Sequence, residues 1–234
     1  MRAIILAAGK GSRISDSIGA IPKSLLKING KTIIENTVEK LADNGAKVSV
    51  CVGYRHRLIR DVLKDKNVTF YYNPFYDLMN NIGSIWFAKE EFDKNEDVLI
   101  LSADVIFENA ILEKLIESDS ELIMAADTSR IRDGDYFFTL NKCGDIADYG
   151  ADIPEERRSC EYIGLSKVKS SVYKIFKDKL EEIIETGGTE NYFEKVFFSF
   201  IGNRSVSPKT IDVKGLNWRE IDFYNDYQKA LEQF

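Results

Sequence analysis

Apolar positions along this chain take two recurring forms, short unbroken runs and stripes at helical spacing. Residues 3–7 are an unbroken run, the form taken by a strand buried on both faces of a sheet. Residues 24–28 predict a short strand leading into a tight turn at Asn29-Gly30. Ile33, Ile34, Val38 and Leu41 share one face of a helix predicted over 32–44. Thr32 and Glu35 have capping-box spacing, and Gly45 suits the position just past the helix end. Residues 47–52 alternate as a second strand, followed by a helix over 56–64 and a third strand over 68–72.

After a polar and aromatic loop over 73–84, a helix is expected with Ile85, Trp86 and Ala88 inward and Ser84 at its N-terminus. Strands over 97–102 and 121–126 flank a helix over 110–117. The pattern loosens over 127–160, where a hairpin across 136–146 predicts a lid-like excursion. A strand over 161–168 and helices over 171–185 and 191–200 follow. Phe193, Val196, Phe197 and Phe200 read as a core stripe. Short strands over 209–213 and 218–221 precede a closing helix over 223–233. Strands alternating with helices predict an α/β architecture: a Rossmann-like three-layer sandwich around a mostly parallel central sheet. With no repeat or linker, 1–234 reads as a single domain.

Composition narrows the chemistry. At 234 residues and 44% hydrophobic, the chain can bury a substantial core. Its 32 basic and 38 acidic residues give a net charge of −6, which argues against non-specific nucleic-acid binding but permits a local cationic pocket. Cys51, Cys143 and Cys160 are an odd number without metal-site spacing, which favours a reducing compartment. His56 is the single histidine and is expected on the surface, which leaves hydrolytic triads without a base. No apolar run is long enough to span a membrane. The run after Arg2 is too short for a signal peptide and has no cleavage-like small-residue site after it. A cytoplasmic enzyme, monomeric or homodimeric, is the expectation.

Candidate chemistry gathers at predicted strand ends. Past the first strand, Gly9 and Gly11 let backbone N–H groups approach an anion, and Lys10, Arg13 and Lys23 add positive charge. The loop is not a dinucleotide fingerprint, because Ile14 fills the third glycine position. Nor is Gly30-Lys31-Thr32 a P-loop, because Leu25 stands where its leading glycine belongs. Gly53 and Asp104 follow two other strand ends, so three ends converge on one crevice. An acidic residue facing phosphates calls for a cation, and Mg²⁺ suits oxygen ligands. Asn80 and Asn81 could read a nucleobase edge or simply serve turn and cap chemistry. Arg130, Arg132, Arg157 and Arg158 could hold a second anion, although solvated charge is the first reading.

Leu6-Ala7-Ala8-Gly9-Lys10-Gly11-Ser12-Arg13 followed by Pro22-Lys23 resembles the signature of nucleotidyltransferases that activate small phosphorylated molecules. The resemblance implies that residues 6–13 wrap the nucleotide and that Lys23 reaches its phosphates. Asp104 and Asp222, each ending an apolar strand at one sheet edge, would share one Mg²⁺. The reaction implied is an in-line displacement at the α-phosphorus by an already ionised phosphate or phosphonate oxygen, with pyrophosphate leaving and no general base needed. Over its full length the chain resembles bacterial CTP-dependent cytidylyltransferases acting on choline phosphate or 2-aminoethylphosphonate. The matching pieces are Gly53-Tyr54, Asn81-x-Gly-Ser84, Ser102-Ala103-Asp104, Gly164-Leu-Ser-Lys167 and Trp218-Arg-Glu220-Ile-Asp222. Ser102 stands where family members more often carry aspartate, so no second acidic ligand is expected there.

The resemblance implies the nucleotide-diphospho-sugar transferase fold. It also implies a nucleoside site at Gly53, Tyr54, Asn80, Asn81, Ser84 and Ala103, and an acceptor site toward Tyr76, Glu161, Lys167, Trp218 and Glu220. A CMP conjugate destined for lipids or surface glycans is the expected product. Rival readings are a sugar-1-phosphate nucleotidyltransferase and a nucleotide-binding regulatory domain without turnover.

Overall fold

The computed structural model describes residues 1–19, 21–132 and 134–234. Strand β1 (Arg2–Ala7) forms where the unbroken apolar run predicts it. A short helix α1 (Ser15–Ile18) and a hairpin of β2 (Lys27–Ile28) and β3 (Lys31–Thr32) follow. The hairpin turn is Asn29-Gly30, both with positive φ. Residues 23–25 are a 3-10 turn rather than part of the predicted strand. Helix α2 (Ile33–Asp43) carries the expected capping box between Thr32 and Glu35. Next come β4 (Lys47–Val52), α3 (His56–Val62), β5 (Val68–Tyr72) and α4 (Asn81–Phe87). The last begins at Asn81, four residues before its predicted apolar face, so Ser84 lies inside the helix and not at its N-terminus.

The chain continues through β6 (Val98–Ser102), β7 (Val105–Phe107), α5 (Asn109–Glu117) and β8 (Leu122–Asp127). The loosened region contains the predicted hairpin as β9 (Phe137–Leu140) and β10 (Ile146–Gly150). Then come β11 (Cys160–Val168), α6 (Tyr173–Glu185), α7 (Glu194–Phe198), β12 (Lys209–Asp212), β13 (Trp218–Glu220) and α8 (Tyr224–Gln233).

Among the described residues, nine strands form one mixed sheet with the order β10-β9-β11-β6-β1-β4-β5, extended by β8 on β11 and β12 on β8. The β6-β1-β4-β5 half is parallel, so the carboxyl ends of β1, β4 and β6 lie side by side. Alternate residues of each buried strand feed opposite core layers. Ala3 and Ile5 pack on one side with Leu41 of α2 and Leu112 of α5, whereas Ile4 packs on the other with Ile85 of α4 and Phe176 of α6. A third cluster seats the loop after β1 through Ile14, which is 1% exposed and packs with Ile221 and Ala230. The residue that rules out a dinucleotide fingerprint thus anchors the glycine loop.

β11 is antiparallel to both β6 and β8 and carries a bulge between Tyr162 and Ser166. Gly164 sits in that bulge at φ +78, and a Cβ there would meet Ser102 Oγ at 3.0 Å. Only glycine combines that backbone with that approach.

Candidate active site

One crevice of about 400 Å³ opens at the carboxyl ends of β1, β4 and β6. The end of β1 and the loop after it form one wall with Leu6, Ala7, Ala8, Gly9, Gly11, Ser12 and Arg13. Gly11 has φ +62, and a Cβ would press on the Lys23 stem at 2.7 Å. Glycine therefore lets Lys23 lie along the loop and enter the crevice. Lys10 turns away to pair with Asp77 beside the Tyr76 ring and is not among the lining residues.

Opposite the loop lie three carboxylates, Asp104, Glu220 and Asp222, with ligand oxygens within 4.8 Å of one another. Asp104 follows the end of β6 after Ala103. Asp222 does not end a strand of the main sheet, contrary to the expectation from its apolar neighbours. It follows β13, which pairs with β7 in a separate antiparallel ribbon. Register delivers the cluster: Glu220 pairs with Val105, and Ile221 N–H donates to the Asp104 carbonyl at 3.1 Å. Alternation then sends Glu220 and Asp222 to one side.

Lys23 lies 10% exposed between two of these carboxylates, 3.2 Å from Asp104 and in contact with Asp222. Burial opposes its charge, but Asp104 and Asp222 outweigh that and raise its pKa. Arg13 pairs with the other oxygen of Asp222. Burial, with Asp104 and Asp222 alongside, pushes Glu220 well above the usual carboxylate range. Hard oxygen donors crowded this way fit a divalent cation, with Lys23 and Arg13 as the chain's own counter-charges.

Asn80, Asn81, Ser84, Tyr76 and Ala103 line the other half of the crevice. Both amides already have structural partners. Asn80 Oδ1 caps Asn81 N at 2.9 Å, and Asn81 Oδ1 accepts from Phe193 N at 2.7 Å. Ser84 is buried and accepts from Asn73, whose own side chain accepts from Phe75 N. Gly53 and Tyr54 brace the wall from behind: Tyr54 N donates to the Ala8 carbonyl at 2.9 Å, and Gly53 packs against Tyr76.

Several expected acceptor contacts lie elsewhere. Lys167 is 1% exposed and donates to the carbonyls of Ile116 and Ser118. Because β11 runs against β6, Lys167 pairs with Leu99, near the end of β6 remote from Ser102. Trp218 is in the core, its indole N–H donating to Asp127 at 2.9 Å and Arg130 stacked on its ring. Glu161 is buried, 3.1 Å from Arg130 and accepting from Asp135 N at 3.2 Å. Burial pushes its pKa up to about 7. Tyr76 stands with Asn80, Asn81 and Ser84, and Glu220 joins the aspartates.

The structure adds groups the sequence reading passed over. Asp135 approaches Asp222 and Arg13, and partial burial together with Asp222 raises its pKa. Tyr192 lines the crevice beside Asn81. Arg132 and Arg157 pair with Glu155 and Asp148 at the surface, whereas Arg158 bonds backbone carbonyls and so is a structural group and not a solvated charge.

Comparison with known proteins follows the same lines. Residues 3–147 match the family model described as MobA-like NTP transferase domain. A CTP:phosphoglutamine cytidylyltransferase of Campylobacter jejuni is 27% identical across 100% of both chains. A CMP-5'-(3-aminopropyl)phosphonate synthase of Streptomyces rubellomurinus is 26% identical over 100% of this chain, which spans 39% of that longer protein. Among solved structures, the CTP:phosphocholine cytidylyltransferase of Streptococcus pneumoniae superposes with a TM-score of 0.76 at 23% identity, covering 99% of this chain and 97% of that one. That likeness shows the nucleotidyltransferase fold. No described helix is long and apolar enough to cross a membrane.

Proposed function

The chain belongs to the MobA-like NTP transferase domain family and is a nucleotidyltransferase, and on that premise we propose that it transfers CMP from CTP to a small phosphonate or phospho-alcohol. One observation carries the reading: the glycine loop faces Asp104, Glu220 and Asp222 across one crevice, with Lys23 and Arg13 between them. The choice of CTP is supported by the names of the two relatives that this chain matches along its whole length.

Mg²⁺ is the proposed ion, held by Asp104, Asp222 and Glu220, and when bound it neutralises triphosphate charge. Lys23 and Arg13, released from the carboxylates, take phosphate oxygens as partners. The loop N–H groups cradle the β- and γ-phosphates, which leave together as pyrophosphate when the acceptor oxygen bonds to the α-phosphorus and the bridge to the β-phosphate breaks. An acceptor oxygen that is already ionised needs no base, in keeping with a crevice lined by no histidine. Segment 127–160 is proposed as the lid, bringing Asp135 against Asp222. We assign the reaction to the cytoplasm, where CTP is made, and its product to decoration of lipids or surface glycans. The free state of Cys51, Cys143 and Cys160 supports that compartment.

A panel of triphosphates and acceptors, read by pyrophosphate release, tests the proposal. Turnover is expected with CTP and small phosphonates or phospho-alcohols. Turnover confined to sugar 1-phosphates would replace it with a sugar-nucleotide activity. CTP binding without product from any acceptor would point to a regulatory domain.

A further inference from the structure

Lys23 is held at both ends. Its backbone lies in the 3-10 turn over 23–25, where Leu25 N donates to the Pro22 carbonyl and Leu26 N to the Lys23 carbonyl, each at 2.9 Å. Its stem runs along Gly11: a Cβ there would stand 2.7 Å from Cγ, 3.3 Å from Cδ and 3.2 Å from Cε. With the backbone fixed, the ammonium moves by rotation of the side chain.

The ammonium spans two of the three carboxylates that a divalent ion would need. Nζ lies 3.2 Å from Asp104 Oδ2 and contacts Asp222 Oδ1. Arg13 holds Asp222 Oδ2. Both oxygens of Asp222 and one of Asp104 are thus committed to cations of the chain itself. The two cations are not equivalent. The Lys23 side chain is 10% exposed and joins two carboxylates, whereas the Arg13 side chain is 53% exposed and touches one of the trio. An exposed pair is screened and yields easily; an ammonium buried between two anions does not.

We propose that Lys23 is a stand-in for the divalent ion: it bridges Asp104 and Asp222 in the free protein, keeps divalent ions off them, and gives way only when a triphosphate offers it other anions. The inference rests on the metal site proposed above, though not on the choice of acceptor. Lysine suits this part. Its ammonium is a compact charge with three donors on a flexible stem, so it can fill an ion's place and leave it by rotation. Two cations claiming the same oxygens repel each other, so ammonium and metal exclude one another there. The handover is built into the crevice, because the glycine loop proposed to cradle the phosphates is the loop that Lys23 lies along. A triphosphate settling on its N–H groups arrives beside the ammonium and draws it off the aspartates. Linkage makes the effect reciprocal: nucleotide strengthens metal binding by the factor by which metal strengthens nucleotide binding.

Mn²⁺ binding without nucleotide, read by electron paramagnetic resonance, tests the stand-in. K23M is expected to bind Mn²⁺ about 30-fold more tightly than the parent, within the usual range of coupling between sites. R13Q is expected to gain less than about 5-fold, the scale of an exposed pair. Melting curves give a second readout. In chelator, K23M is expected to melt below the parent, because Asp104 and Asp222 then repel each other unpaired, and Mn²⁺ alone should restore it. The parent is expected to gain no Tm from Mn²⁺ until CTP is added. Equal Mn²⁺ affinity in parent and K23M would overturn the stand-in. So would a parent stabilised by Mn²⁺ alone as much as by Mn²⁺ with CTP, a comparison that needs no variant. Equal affinities with pyrophosphate released from CTP and an acceptor would remove the stand-in and keep the activity. A tighter K23M with no pyrophosphate from any acceptor would keep the stand-in and remove the activity.

Discussion

Asp104, Lys23 and Glu194 show three ways a single charged side chain is used here. Asp104 faces the crevice with Lys23 as its partner, so its negative charge serves the site more than the fold. Asp104→Asn is expected to lower kcat by about 10²-fold or more while thermal unfolding stays near the parent, as a steady-state assay paired with a melting curve would show. Glu194, buried at the start of α7 with no hydrogen-bond partner for its Oε2, gives a stability signature of its own. Its folded pKa of about 8 lies above the ordinary 4.5. The folded form thus holds a proton that the unfolded chain has lost, and stability falls as pH climbs between those values. Glu194→Gln should therefore raise Tm, with a gain that is small near pH 5, grows toward pH 8 and levels above it; a Tm gain independent of pH would contradict the unpaired carboxylate. The aspartates were legible in sequence because each follows an apolar run. Asp135 was not, because it sits in an irregular segment beside Gly134 with no period to place it.

At the scale of elements, unbroken apolar runs were the readable signal. β1, β4 and β5 fall within a residue of their predicted bounds: burial on both faces leaves β1 and β4 little freedom in composition, and the half-exposed edge strand β5 is marked by its β-branched and aromatic residues. The ribbon of β7 and β13 was not readable as a pair. Each strand has three residues, too few for alternation to register, and their pairing joins positions far apart in the chain. Lys167 was misplaced for a related reason: sequence names a strand but not its direction, and direction decides which end meets the site; Trp218 is instead held in the core by its indole N–H to Asp127. Gly164 offers a test at this scale. Its positive φ and its 3.0 Å approach to Ser102 predict that Gly164→Ala costs about 1–3 kcal/mol, measurable by urea unfolding. A variant as stable as the parent would mean that the bulge relaxes freely.

For the whole molecule, the crevice is an electrostatic compromise inside a chain of net charge −6. Its carboxylates are balanced by Lys23 and Arg13, so the nucleotide enters a site that is already partly neutral. CTP with Mg²⁺ at 100 times Kd should add about 2.7 kcal/mol and raise Tm by about 5–10 °C; UTP at that concentration should give less. The bulge in β11 has a consequence at the same scale. Tyr162 pairs with Ala126 and Ser166 with Met124, so four steps along β11 match two along β8. The surplus is even, and the two halves of the strand stay in phase across it. Removing one residue would turn half of β11 over, sending Tyr162 to the wrong face and out of its core cluster. Removing two would straighten the strand and leave every side chain on its own side. What keeps the two ends in step is an arithmetic of strand length, so this protein should tolerate a change there only in pairs.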